Sequence, residues 1–196
     1  MSRSDKVTLK RRLSLRLIAG LGALLTIAVP QLLGDHAPAS AHDAPVATAP
    51  PAERDEWILL SRRVHGGFGS LIALGIRIGD DAIRQLGAAQ RELDVTYHSG
   101  ARAPCPCVVD GILIATQSSP GQGTLRVSAD PAPDGEFGRV FIRHKTSGRT
   151  LLYVMPASVG PMMAEINKLP SLERWAAVMQ LADDQIFTRA ETARTD

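Results

Sequence analysis

The chain has 196 residues, 44% hydrophobic and 21% charged, with 22 Lys/Arg against 20 Asp/Glu. That composition fits one globular domain once any tail is removed. Aromatic residues make up only 4%, too few for a nucleic-acid surface built on stacked rings.

The N-terminal stretch reads as a targeting segment rather than as part of a fold. Arg3, Lys6, Lys10, Arg11, Arg12 and Arg16 precede the apolar run "LIAGLGALLTIAVPQLL" from Leu17 to Leu33, and Ala39-Ser40-Ala41 follows. A basic region, an apolar region and a small-x-small exit have the layout of a secretory signal peptide, so cleavage is expected after Ala41. The protein is then exported, to a periplasmic or extracellular location. The alternative is an uncleaved membrane anchor, although the apolar run is short for a span of about 20 residues and Pro30 interrupts it. Arg11-Arg12 lacks the aromatic residue after the pair that would favour twin-arginine export over ordinary secretion. Six Lys/Arg and two Asp/Glu lie in residues 1–41, so the remainder holds 16 basic and 18 acidic residues and carries −2. The basic character belongs to the signal, and no charge argument for nucleic acid survives.

The expected organisation is a signal peptide at 1–41, an Ala/Pro-rich linker at 42–51, an α+β domain at 52–188 and a tail at 189–196. Glu53 to Val64 reads as a helix with Trp57, Leu60 and Val64 on one side. His65-Gly66-Gly67-Phe68-Gly69-Ser70 breaks it, and Ser70 is placed to cap a second helix. Along that helix Leu71, Leu74, Ile78, Ala82 and Leu86 form a stripe widened by Ile72, Ile76 and Ile83. Gly75 and Gly79 let a neighbouring backbone approach. Leu93, Val95 and Tyr97 alternate as a strand. "CVVDGILIAT" (Cys107 to Thr116) reads as a buried helix, and "SSPGQG" (Ser118 to Gly123) as a loop. Strands follow at Thr124 to Ser128 and Arg139 to His144, with a hairpin into Leu151 to Met155. Two helices close the chain near 158–167 and 171–182, the second capped by Ser171. The order predicts a single domain with a small antiparallel sheet packed against helices.

Both cysteines stand in "APCPCVVDG", one residue apart. Three readings are open. In an oxidising compartment they form a disulfide that closes a very small ring. As thiolates they supply half of a structural zinc site. Alternatively, Cys107 is a small buried hydrophobe and Cys105 a loop residue. His65, in the glycine-rich bend, is a metal ligand, a pH-sensitive group or a loop histidine bonded to backbone. Asp110 shares a helix face with Cys107 and is a candidate to orient a ligand from behind. No Ser-His-Asp order, two-His metal helix or dinucleotide fingerprint appears.

"VHGGFGSLIALGIRIGDDAI", "CVVDGILIATQSSPGQGTLRV" and the hairpin through "GRTLLYV", taken in this order, resemble the FmdE domain family of formylmethanofuran dehydrogenase over about 61–155. The resemblance aligns His65 with the family's first histidine and Cys107 with its later cysteine; Asp110, Gly111, Thr116, Gly121 and Gly123 also match. Gly67 stands in place of a second histidine, Gly69 in place of a frequent cysteine, Gln117 in place of a glycine and Gln122 in place of a lysine. The resemblance implies metal binding through the surviving His65 and Cys107, with Cys105 a local substitute for a lost ligand.

The functional expectation is a metal ion or metal cofactor held by His65, Cys107 and Cys105, with Asp110 behind and with Gly66, Gly67, Gly121 and Gly123 in loops nearby. Imidazole plus thiolate suits zinc, copper and haem iron alike. The alternative is a metal-free scaffold that binds a small molecule or a protein partner in the cleft by "HGGFG". Thiol-dependent catalysis, with Cys107 as nucleophile and His65 as base, ranks below both.

Overall fold

A computed structural model of the chain describes residues 51–193. The signal segment and residues 42–50 of the linker lie outside the described residues. The described elements run α1 (Pro51–His65), α2 (Ser70–Leu86), β1 (Leu93–Ser99), α3 (Val108–Thr116), β2 (Leu125–Val127), β3 (Glu136–His144), β4 (Thr150–Pro156), α4 (Val159–Ile166), α5 (Ser171–Gln180), α6 (Asp183–Ile186) and β5 (Thr188–Thr192). The α+β class expected from the sequence is the observed one.

The sheet has the order β2-β1-β3-β4-β5. Three pairings are antiparallel, and β1 with β2 is parallel, Val95 facing Leu125 and Tyr97 facing Val127. The sheet is therefore mixed rather than purely antiparallel. The reason is α3: a helix between two neighbouring strands returns the chain to the end from which it left, which makes the second strand parallel to the first. The expected tail also differs. Arg189 to Thr192 pairs with β4 as an edge strand whose side chains are almost all exposed, so no apolar alternation marked it.

The core forms between the sheet and the α2–α3 layer. Every residue of the α2 stripe is buried except Leu71, which is partly so. Three glycines set the distance between the helices. A Cβ added at Gly75 would lie 2.0 Å from the Val108 carbonyl oxygen, one at Gly111 would lie 2.1 Å from that of Ile72, and one at Gly79 would lie 2.7 Å from Ala115. The order of these contacts makes α2 and α3 parallel, with their N-termini at the same end.

Two local expectations are corrected. On α1 the buried residues are Trp57, Ile58 and Ser61, while Leu60 and Val64 are exposed. The helix is covered on a narrower face than its apolar residues suggest, and the Ser61 hydroxyl is satisfied by the Trp57 carbonyl at 2.8 Å. Neither predicted serine cap forms. Gly69 is the N-cap of α2, and Ser70, one residue inside, donates its hydroxyl to the Met163 carbonyl at 2.7 Å. Pro170 occupies the N-cap of α5 ahead of Ser171.

At the opposite end of α2, the buried Asp81 gathers β4 and β5. Its Oδ2 accepts from Tyr153 at 2.8 Å and from Arg189 at 2.5 Å. Burial, then the adjacent carboxylate, opposes ionisation of the Tyr153 phenol and raises its pKa.

This packing sets two expected outcomes. Gly75→Ala and Gly111→Ala should each cost about 3 kcal/mol or more in urea unfolding, because neither backbone can yield. Gly67→Ala, where an added Cβ meets nothing within 4 Å, should change stability by less than about 0.5 kcal/mol; equal effects at all three positions would refute the close-approach account. The second concerns pH. The folded phenol of Tyr153 keeps its proton where the unfolded one, with a pKa near 10, loses it. Stability is therefore full below about pH 10 and falls as pH rises further, and the fall should be shallower in Tyr153→Phe.

Candidate functional site

The parallel arrangement of α2 and α3 brings two sequence-distant segments together at their shared N-terminal end. The first is the bend after α1. Gly66 takes φ +86, a left-handed conformation that a residue with a side chain rarely adopts, and the chain turns there from α1 towards α2. The second is the "APCPC" loop, which ends at Cys107, the N-cap of α3.

His65 and Asp110 meet across this junction. Nδ1 of His65 lies 2.6 Å from Oδ2 of Asp110, with each side chain 33% exposed. A carboxylate only accepts hydrogen bonds, so the proton of the neutral ring resides on Nδ1, and Nε2 is the nitrogen left for a ligand. Asp110 lies in the first turn of α3, where a negative side chain is favoured by the helix dipole. The residue expected to orient a ligand from behind thus holds the histidine.

Cys105 and Cys107 are bonded to each other, their Cα atoms 5.3 Å apart. Of the three readings of the sequence, this is the disulfide. It closes a loop of three residues, so in the chain-entropy picture it restrains the unfolded chain by only about 1.6 kcal/mol, against about 3 for a 15-residue loop. Both half-cystines are half-buried, and Pro104 and Pro106 beside them are exposed.

The disulfide and His65 line one cavity of about 260 Å³. Its other walls are mostly apolar: Leu71 and Ile72 from α2, Phe137 from β3, and Met163 and Ala164 from α4. The separation of over forty residues between His65 and Cys107 is closed by the fold. Gly66 and Gly67 shape the bend without lining the cavity. Gly121 and Gly123 do not belong to the site: they follow the C-terminus of α3, and its nine residues rise roughly 13 Å from the end that carries Cys107.

Other side chains that hold the site carry no sequence signal. Arg174 on α5 donates to the Phe68 carbonyl and, through Nη2, to the carbonyls of Asn167 at 2.6 Å and Leu169 at 2.7 Å. The Phe68 ring packs on Trp175 with centroids 6.0 Å apart. Asn167 accepts from the Ser70 N–H at 3.2 Å, supplying a partner that the start of α2 lacks from its own turn. These bonds anchor the glycine-rich bend to α4 and α5, about a hundred residues away in sequence, and no local pattern announces such a pairing.

In the disulfide form the cavity offers one imidazole nitrogen. Among the described residues, no group of three or more His, Cys, Asp and Glu is arranged to hold a metal ion. Reduction would supply two thiolates on the same wall, giving three donors with His65, the number found in open catalytic-type zinc sites. In the disulfide form the donor set does not fit a metal.

A search of curated proteins gave no match to the chain. The model of a protein family described as "FmdE, Molybdenum formylmethanofuran dehydrogenase operon" matches residues 64–192. That span is well over half of the chain, contains His65, Cys105, Cys107 and Asp110, and reaches the last residue of β5, and on this match the chain belongs to the FmdE family.

Proposed function

We propose that this FmdE-family protein is an exported metal-binding protein whose dithiol form holds a metal ion through His65 Nε2, Cys105 and Cys107. The observation that carries the reading is the His65–Asp110 pair, whose histidine lines the same cavity as Cys105 and Cys107. Metal-ligating histidines nearly always donate their other ring N–H to a carboxylate, carbonyl or water, which fixes the tautomer and strengthens the ligand. Thiolates beside imidazole select zinc, copper or another borderline or soft ion. The cavity is smaller than the ~300–1,000 Å³ usual for drug-sized ligands, which favours a bare ion with a small co-ligand over a macrocycle such as haem. When bound, the ion supplies Lewis acidity at an open coordination position.

Export rests on the basic, apolar and small-residue order of residues 1–41, and the disulfide supports it, because such bonds persist in oxidising compartments. Among the described residues, no helix is long and apolar enough to cross a membrane.

One observation favours a second reading. With the disulfide closed, the cavity is an apolar pocket beside the "HGGFG" bend, suited to an apolar small molecule without any metal.

The two readings separate in one titration. Reduced, metal-free protein should bind about one equivalent of zinc or cobalt(II) under anaerobic conditions, with thiolate-to-cobalt charge-transfer absorption. His65→Ala should abolish the stoichiometric site, and Asp110→Asn should weaken it by about 10–100-fold. If the reduced protein takes up neither zinc, cobalt(II) nor copper(I), the metal reading fails and the apolar pocket remains.

A further inference from the structure

We infer that the Cys105–Cys107 bond is a thiol–disulfide exchange centre, and that the cavity in front of it receives a low-molecular-weight dithiol with an apolar body. This goes beyond metal binding and does not require it.

Three observations carry the inference. First, the bond does not staple the fold. It joins residues two apart in sequence, whereas the core is closed by α2, α3 and the sheet. A bond that restrains so little chain can open and close without unfolding the domain. Second, it is presented to solvent at a cavity wall and not sealed in the core: Cys105 and Cys107 are half-buried and face the space lined by His65. Third, His65 and both half-cystines line the same cavity. His65, its Nδ1 held by Asp110, offers Nε2 as an acceptor for the proton of an incoming thiol. Cys107 is the N-cap of α3, and no side chain caps that helix, so an anion released on the Cys107 sulfur forms where helix N–H groups favour negative charge.

The step balances without another reactant. One substrate thiol gives its proton to His65 Nε2, and its sulfur attacks Sγ of Cys105. The Cys105–Cys107 bond breaks, its electron pair leaves on Sγ of Cys107, and a mixed disulfide joins the substrate to Cys105. The second substrate thiol then loses its proton to solvent and attacks the first substrate sulfur, closing a cyclic disulfide and expelling Cys105 as thiolate. The substrate is oxidised by two electrons and the protein is reduced by two. The better-stabilised thiolate is the better leaving group, which assigns the attack to Cys105. The accessible apolar lining at Leu71, Pro104 and Ala164 suits an apolar substrate body and opposes a strongly hydrated one.

The test uses the full chain in its oxidised form with a chelator present, so that metal plays no part. Dihydrolipoamide is the apolar probe and dithiothreitol the polar one, and loss of the protein disulfide is followed by rapid acid quench and mass spectrometry. The expected rate with dihydrolipoamide saturates with its concentration and exceeds that of the same chain unfolded in urea by at least tenfold. It should also exceed the rate with dithiothreitol, after correction for the rates of both probes with the unfolded chain. His65→Gln should lower the native rate at least tenfold. A native rate no greater than that of the unfolded chain overturns the proposal, as does an oxidised preparation that lacks the Cys105–Cys107 bond. A fast native rate unchanged in His65→Gln overturns the part assigned to the imidazole. Because the wild-type comparison needs no variant, poor folding of a mutant does not blunt it.

Discussion

The contact on which the rest of the structure depends is the backbone-to-backbone approach of α2 and α3 at Gly75, Gly79 and Gly111. An added Cβ at Gly75 or Gly111 would sit about 2 Å from a carbonyl oxygen of the opposite helix, so these helices could not lie together if either residue carried a side chain. Their closeness fixes a parallel pair, and a parallel pair has both N-termini at one end. The end of α1, just before α2, carries His65, and the loop before α3 carries Cys105 and Cys107. The site is a consequence of how the two helices pack.

Polar bonds then hold the two ends of this layer. At the site end, Arg174 and Asn167 tie the glycine-rich bend to α4 and α5, and the Ser70 hydroxyl reaches the Met163 carbonyl. At the far end, Asp81 joins Tyr153 and Arg189, while Arg84 pairs with Asp80. Burial lowers the Arg84 pKa, and the carboxylates beside it supply the charge compensation that a half-buried guanidinium needs. The buried polar groups of this layer thus sit towards its ends, while its middle is packed with apolar side chains and glycine.

The chemistry of the cavity turns on one pair of atoms. With the two sulfurs joined, the wall is neutral and the imidazole has no thiolate beside it. With the bond opened, two potential thiolates and an oriented imidazole face the same space. The proposed metal capture draws on the second state, and the proposed exchange converts one state into the other. An oxidising compartment favours the joined form, so any ion bound there would depend on a supply of reducing thiols.

Much of the fold was written in local pattern. The stripe along α2, the alternation in β1, the glycines at 75 and 79, the hairpin from β3 to β4 and the buried helix after Cys107 each follow from side-chain period or backbone freedom over a few residues, and each is present in the structure. Sequence order and residue type also singled out His65, Cys107 and Asp110. What the sequence could not provide is anything that joins distant segments. The exposed edge strand β5 has no apolar alternation because it buries almost no apolar surface: backbone pairing to β4 and the Arg189–Asp81 bond hold it. The parallel β1–β2 pairing depends on where α3 returns the chain. Arg174 and Asn167 serve a bend about a hundred residues away. Asp110 was legible as a neighbour of Cys107 along a helix, yet its partner is His65, because docking α3 beside the end of α1 aims the carboxylate there. Residue type and spacing determine which groups are available and which local shapes they adopt. Which of those groups meet is decided by tertiary packing, because it depends on the distance and direction between elements that share no local sequence.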